Sequence, residues 1–149
     1  MASADPVESN GDDLPKTLAL KTAMDDAIEG YENMLEKAEP HFRPTVEELL
    51  AHHRATSLDL AAMLQDRGIA ADQDGSLMGA VHKTVVTVRS MFDDVDEDLI
   101  PGIVDGERRN LEKFDEAMGE NAADPVIRAT VGTRRAELQQ LVRQLGSRT

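Results

Sequence analysis

The sequence predicts an all-α protein: a four-helix bundle of two antiparallel hairpins joined by a long crossover that contains an extra helix. Three observations predict it. Apolar residues recur at alternating three- and four-residue steps over five separate stretches, and no stretch shows the strict alternation of a half-buried strand. Two proline-marked turns, 39–44 and 119–124, are short enough to fold neighbouring helices back on one another. The stretch between the hairpins, 68–97, is long enough to run the length of a bundle and return the chain to the same end.

At 149 residues the length prior gives one domain. Residues 1–15 are acidic and poor in large apolar groups, and read as a disordered tail before a single bundle over 16–146. The first helix is expected over about 16–38, with Leu20, Met24, Ala27, Tyr31, Met34 and Ala38 on one seam. The second, about 45–67, opens on a Thr45–Glu48 capping box. It carries Val46, Leu50, His53, Ser57, Leu60 and Leu64 inward and closes at Gly68. The third, about 77–92, follows Ser76 as a cap and presents Leu77, Val81, Val85, Val88 and Phe92. The fourth, about 98–118, is capped by Asp98, tolerates Pro101 in its first turn, and has the seam Ile100, Val104, Glu107, Leu111, Phe114 and Met118. The fifth, about 125–145, begins at Asp124–Pro125 and has the seam Ile127, Val131, Arg134, Leu138, Leu141 and Leu145. Two hairpins with one long crossover is the ferritin-like connectivity.

Composition excludes several function classes. The net charge is −13, from 29 acids against 16 bases. That argues against a nucleic-acid surface or an anionic membrane, both of which need clustered Lys and Arg. There is no cysteine, hence no disulfide, thiolate chemistry or cysteine zinc site. The N-terminus lacks the basic lead and apolar run of a signal peptide, and no segment approaches a membrane span. A cytoplasmic location is expected. Aromatics are only 3%, so the seven Met serve as plastic core filler rather than a cofactor box.

Several short motifs resemble those of a bacterial family of ferritin-like four-helix-bundle proteins (a domain of unknown function), over roughly Leu18 to Leu145. Asp26 and Gly30–Tyr31 resemble that family's Asp-Gly-x-x-Gly-Tyr, with Ala27 in place of the first glycine. Gly75–Ser76–Leu77–Met78–Gly79–Ala80–Val81–His82–Lys83 is similar to Gly-Ser-x-x-Gly-x-x-His-Arg, with Lys83 for Arg. Gly106–Glu107 matches a Gly-Glu pair, Phe114 stands where Tyr is usual, and Arg134–Arg135 stand where Gln is frequent. The resemblance implies a ferritin-like fold. It implies no reaction.

A ferritin-like dinuclear metal site needs inward Glu from two helices and a Glu-x-x-His from each of the others. This chain does not supply that set. The first helix's Asp25, Asp26, Glu29, Glu32 and Glu36 fall on the outer half of its seam. The second has no Glu-x-x-His, and its Glu48–His52 spacing suits an exposed i,i+4 pair. The fifth has one acid, Glu137, and no His. His53 and Glu107 are weak candidates for a mononuclear site, two ligands short of a full set. His82 and His41 lie outside the core seams, and no catalytic constellation stands out.

Each of four seams holds one polar residue facing the core: Tyr31, His53, Glu107 and Arg134. Counted at about 1.5 Å per residue from one end, the first three share a height and Arg134 lies about one turn away. Buried charges persist only when paired. The expectation is a buried polar layer, with a Glu107–Arg134 ion pair supported by Tyr31 and His53. Functionally the sequence suggests a non-enzymatic bundle without a cofactor, acting through protein contacts, homo-oligomerisation included. A link to stress follows only from the class it resembles. The alternative is a degenerate or minimal ferritin-like metal-binding protein. A further reading is an acidic module docking onto a basic partner.

Overall fold

A computed structural model describes residues 13–70 and 94–148. Within them lie four helices: α1 (Pro15–Leu35), α2 (Arg43–Asp66), α3 (Ile100–Glu120) and α4 (Pro125–Gly146). A single 3-10 turn, Glu97–Leu99, leads into α3. Among the described residues there is no strand, only an isolated parallel bridge between Ala38 and Val95. No described helix is long and apolar enough to cross a membrane. The helix expected over 77–92, its cap Ser76, and His82 lie outside the described residues, as does the tail through residue 12.

Each helix opens with proline in its first turn, where the missing N–H costs nothing and the fixed φ is already helical. The chain folds α1 against α2 and α3 against α4, and the two hairpins meet as α1 on α3 and α2 on α4. α2 and α3 therefore face each other across the diagonal, as do α1 and α4. α2 ends beside the α3–α4 turn, where Arg67 binds Asp124 at 2.6 Å. α3 begins at the opposite end, where Val95 bonds to Lys37 and Glu39 just beyond α1.

The bundle core is Leu20, Met24, Tyr31, Val46, Leu49, Leu50, Leu60, Ile100, Ile103, Phe114, Ile127, Val131 and Leu138, with Phe42 and Val95 closing one end. At the other end the first amides of α1 are capped from another helix. The Lys16 and Thr17 N–H groups donate to the two oxygens of Glu120 at 2.8 Å each. The Asn121 amide donates to the Thr17 hydroxyl at 2.7 Å. A carboxylate at a helix N-terminus satisfies orphan donors and complements the helix dipole.

Several boundaries differ from the sequence expectation. The Thr45–Glu48 capping box does not form. α2 starts at Arg43 after the fully buried Phe42, without a side-chain cap. Thr45 is already inside the first turn, and its hydroxyl accepts from Arg148 Nη1 at 2.6 Å. Asp96, not Asp98, caps the entry to α3, accepting from the Asp98 N–H at 2.9 Å. α1 stops at Leu35 because Lys37–Glu39 turn to pair with Val95. On α4, Val142 is buried while Leu141 is only partly so. Asp124 caps α4 as expected, accepting from the Val126 and Ile127 amides.

Gly68 ends α2 with φ +76°, and the Gly68 and Ile69 amides return to the Gln65 and Leu64 carbonyls in a Schellman closure. Gly30 is its opposite: it sits inside α1, and an added Cβ would meet nothing within 4 Å. Gly68→Ala should cost about 1 kcal/mol or more, and Gly30→Ala should gain about 0.4–1 kcal/mol. Urea unfolding midpoints of the two variants check both signs; equal signs would contradict this account.

Candidate functional site

The centre of the bundle holds a chain of polar side chains drawn from all four helices. Glu107 on α3 is 1% exposed and His53 on α2 is fully buried. His53 Nε2 lies 2.8 Å from Glu107 Oε2, a contact that crosses the diagonal between α2 and α3. Tyr31 on α1 donates its hydroxyl to the same Glu107 oxygen. Asn110, one turn along α3, donates to Glu107 Oε1 at 3.0 Å. Behind His53, its Nδ1 lies 2.9 Å from His52 Nδ1, and His52 Nε2 lies 2.8 Å from the Arg134 carbonyl oxygen on α4.

One fixed acceptor orders this chain. The Arg134 carbonyl can only accept, so His52 Nε2 carries a hydrogen. Neutral His52 then offers only a lone pair at Nδ1, and His53 Nδ1 donates to it. His53 Nε2 and Glu107 Oε2 share one further proton. Burial alone would raise the Glu107 carboxyl, but the hydrogen bond and charge of His53, with Tyr31 and Asn110, outweigh it and hold the group below its ordinary range. The proton therefore resides on His53, and the pair is a buried imidazolium–carboxylate. Burial first, then the Glu107 charge and hydrogen bond, push the Tyr31 hydroxyl well above its usual range, so Tyr31 remains a donor. Burial lowers His52, partly opposed by its bond to the Arg134 carbonyl.

Tyr31 and Glu107 also line the floor of an open groove of about 950 Å³ between α1 and α3. Ala23, Ala27, Gly30, Gly102, Ile103 and Gly106 make much of its floor, with Met34 and Leu99 at one end. Asp26, Asp98, Glu112 and Glu116 stand along it with Arg109 and Lys113. Asp26, exposed at the groove wall, is raised by desolvation and then by the neighbouring Asp25 and Glu29.

The structure brings together Tyr31, His53 and Glu107 and leaves Arg134 out. The expected Glu107–Arg134 ion pair does not form. The Arg134 side chain is 27% exposed and turns outward to Asp59 at 2.8 Å and Glu137 at 3.1 Å. Only its backbone carbonyl reaches the layer. His53 takes the place assigned to the arginine, because a ring from α2 reaches across the core without desolvating a guanidinium. Two further expectations are corrected. His52 is not an exposed partner of Glu48 but is buried at 7% exposure. Asp25 is not on an outer face, since it accepts from the Ser57 hydroxyl of α2 at 2.6 Å. His41 is exposed and bonds Glu97 at 2.8 Å. The residues missed were His52 and Asn110. A signal for His52 existed: Leu49, His52, Thr56 and Met63 form a second buried seam, facing α4.

His53 and Glu107 do not make a metal centre. Their donor atoms point at each other rather than at a common point, and both Glu107 oxygens already accept hydrogen bonds. Among the described residues no group of three or more His, Cys, Asp or Glu could hold a metal ion. A stable transition-metal site needs three or four such ligands.

Glu107→Ala strands Tyr31 and His53 in the core and should cost about 3–5 kcal/mol, whereas Arg134→Ala should cost under about 1 kcal/mol, its ion pairs being partly solvated. Chemical denaturation of both variants tests the order; a larger loss at Arg134 would reverse the assignment. Glu107 titrates below its ordinary value of 4.5, so its contribution is present above pH 4.5 and lost as pH falls through the lower folded value. Stability measured on acidification should therefore fall less steeply below pH 4.5 in Glu107→Gln than in the wild type.

No curated protein matches the chain. A family profile described as "Domain of unknown function (DUF2383)" matches residues 18–120, which spans α1, α2 and α3 and ends short of α4. With more than half its length matched, and with Tyr31, His53, Glu107 and the groove all inside the matched region, the chain belongs to the DUF2383 family.

Proposed function

We propose that this protein is a ferritin-like four-helix bundle that acts without catalysis, through protein contacts, by taking a basic helical segment of a partner into the α1–α3 groove. The observation that carries the reading is the groove floor. Gly30 and Gly106 lie inside helices, where glycine costs about 1 kcal/mol against alanine. Neither is required by the bundle. A Cβ at Gly30 would touch nothing within 4 Å, and one at Gly106 would meet only Arg109 Nη2 at 3.9 Å. Gly102, in the first turn of α3, is equally unhindered. Such glycines allow an outside backbone to approach closely. Around them four carboxylates, Asp26, Asp98, Glu112 and Glu116, exceed the two cations Arg109 and Lys113, which favours a positively charged guest.

The central layer supports the non-catalytic part of this reading. Glu107 has both oxygens engaged, Tyr31 is a committed donor, and the histidines are bonded to each other, so no group is left poised for a substrate.

The test is capture of binding partners by the immobilised protein at low and high salt, in parallel with Gly30→Leu, which fills the groove where there is room for it. The expected result is a partner retained at low salt, released at high salt through screening, and lost in Gly30→Leu. Retention unaffected by Gly30→Leu would move the contact elsewhere and overturn the proposal. So would stoichiometric iron, manganese or zinc in the purified protein that disappears in Glu107→Gln, which would instead support the metal-binding alternative.

A further inference from the structure

The hydrogen bonds behind Glu107 all run one way, and His52 is where that direction fails if a proton is added. His52 Nε2 donates to the Arg134 carbonyl and His52 Nδ1 accepts from His53 Nδ1 at 2.9 Å. A second proton on His52 would set two N–H groups face to face at that distance, and beside a ring that already donates from both nitrogens.

The surroundings offer that proton no counter-charge in hydrogen-bond contact. From α2 itself, His53 faces the ring edge-on, and the Thr56 hydroxyl is spent on the His52 carbonyl. From α3 come the Phe114 ring, 6.2 Å away, and Glu107, whose oxygens are taken by Tyr31, His53 and Asn110. From α4 come the Arg134 carbonyl, already engaged, and Glu137, which is turned to the Arg134 guanidinium along with Asp59. From α1 only Tyr31 approaches, and it stands against His53.

We propose that His52 is an acid-sensitive latch between α2 and α4, whose protonation breaks the His52–His53 link and releases α4 from the central layer. Of the packed helix pairs, α2 and α4 have the least extensive contact, so this bond is a large part of what holds them in register. The released state keeps the surface pair Arg134–Asp59, which does not depend on His52. Burial places protonation of folded His52 below its ordinary value of 6.5. Between the folded value and 6.5 the unfolded chain binds more protons, so stability falls as pH drops through that window. The window lies above the one in which Glu107 is lost.

The test uses His52→Gln. The glutamine carboxamide can donate to the Arg134 carbonyl and accept from His53 Nδ1, but it does not titrate. Amide hydrogen exchange is followed by mass spectrometry at about pH 7.5 and about pH 5.5 and corrected for intrinsic rates. Wild-type α4 amides should lose about tenfold or more in protection at the lower pH, and the variant less than about twofold. Equal losses in the two proteins, or no loss in the wild type, would falsify the latch. Should the variant fail to fold, nitrogen-15 spectra of wild-type histidines decide. They should show His52 protonated at Nε2 and bare at Nδ1 near neutral pH; a hydrogen on Nδ1 there overturns the proposal.

Discussion

A carboxylate buried at the centre of a bundle must be satisfied before the side chains around it can settle, and here a single proton on His53 does most of that. Glu107 sits where α1, α2 and α3 all come within reach, and three donors close on its two oxygens. The His53–Glu107 contact is the one polar link described across the diagonal between α2 and α3. Helices on a diagonal do not otherwise touch, so their relative heights are set by this contact and by the neighbours' packing together. Apolar seams tolerate sliding by a turn far better than a hydrogen-bonded carboxylate does, since a slip leaves charged groups unpaired in a low dielectric. The net gain in stability from such a pair is small after desolvation. Its larger effect is to penalise every other register.

The ends of the bundle follow the same logic with different chemistry. At one end Glu120 reaches from the last turn of α3 to cap the first turn of α1, so a helix with no side-chain cap of its own takes its cap from a neighbour. At the other end Phe42 and Val95 are sealed in, and Arg148 lies over the Phe42 ring at 5.7 Å while also binding Thr45 and Glu97. Each end thus ties elements from both hairpins, and the central layer ties all four helices. Salt bridges along the sides, such as Arg54–Glu32 and Arg135–Asp115, are exposed and add little by comparison.

Helical periodicity and punctuation made the helices legible in the sequence. The Asp124–Pro125 start, the Gly68 stop and both hairpin turns follow from local rules that hold regardless of tertiary context. Tyr31, His53 and Glu107 were legible as core-facing polar residues because each interrupts an apolar seam, and matched heights put them at one level. Their pairing was not legible. Periodicity assigns a residue to a face but does not say which of two neighbours a helix turns that face towards. α2 packs on both α1 and α4, so its buried arc is wider than one seam and includes His52 as well as His53. Arg134 misled for the converse reason: it occupies a seam position, yet its long side chain leaves the core edge for Asp59 and contributes only its carbonyl. The groove could not be read at all, because Gly30 and Gly106 look like ordinary helix-weakening residues until the space beside them is seen.

The layer and the groove meet at Tyr31 and Glu107, and that meeting explains why the chemistry stays inside. A groove floored by an open carboxylate would attract metal ions and water as readily as a protein partner. Here the carboxylate faces inward, its charge is cancelled by His53, and its outer flank is covered by the Tyr31 hydroxyl and the Asn110 amide. The surface presented to the groove is therefore small and neutral at its centre, with negative charge kept at the margins in Asp26, Glu112 and Glu116. An apolar middle that excludes water, surrounded by charge that steers an approaching partner, is the arrangement that binding to another helix requires. The proton on His53 thus serves two ends, fixing the register of the bundle and keeping the floor of its one large groove free of net charge.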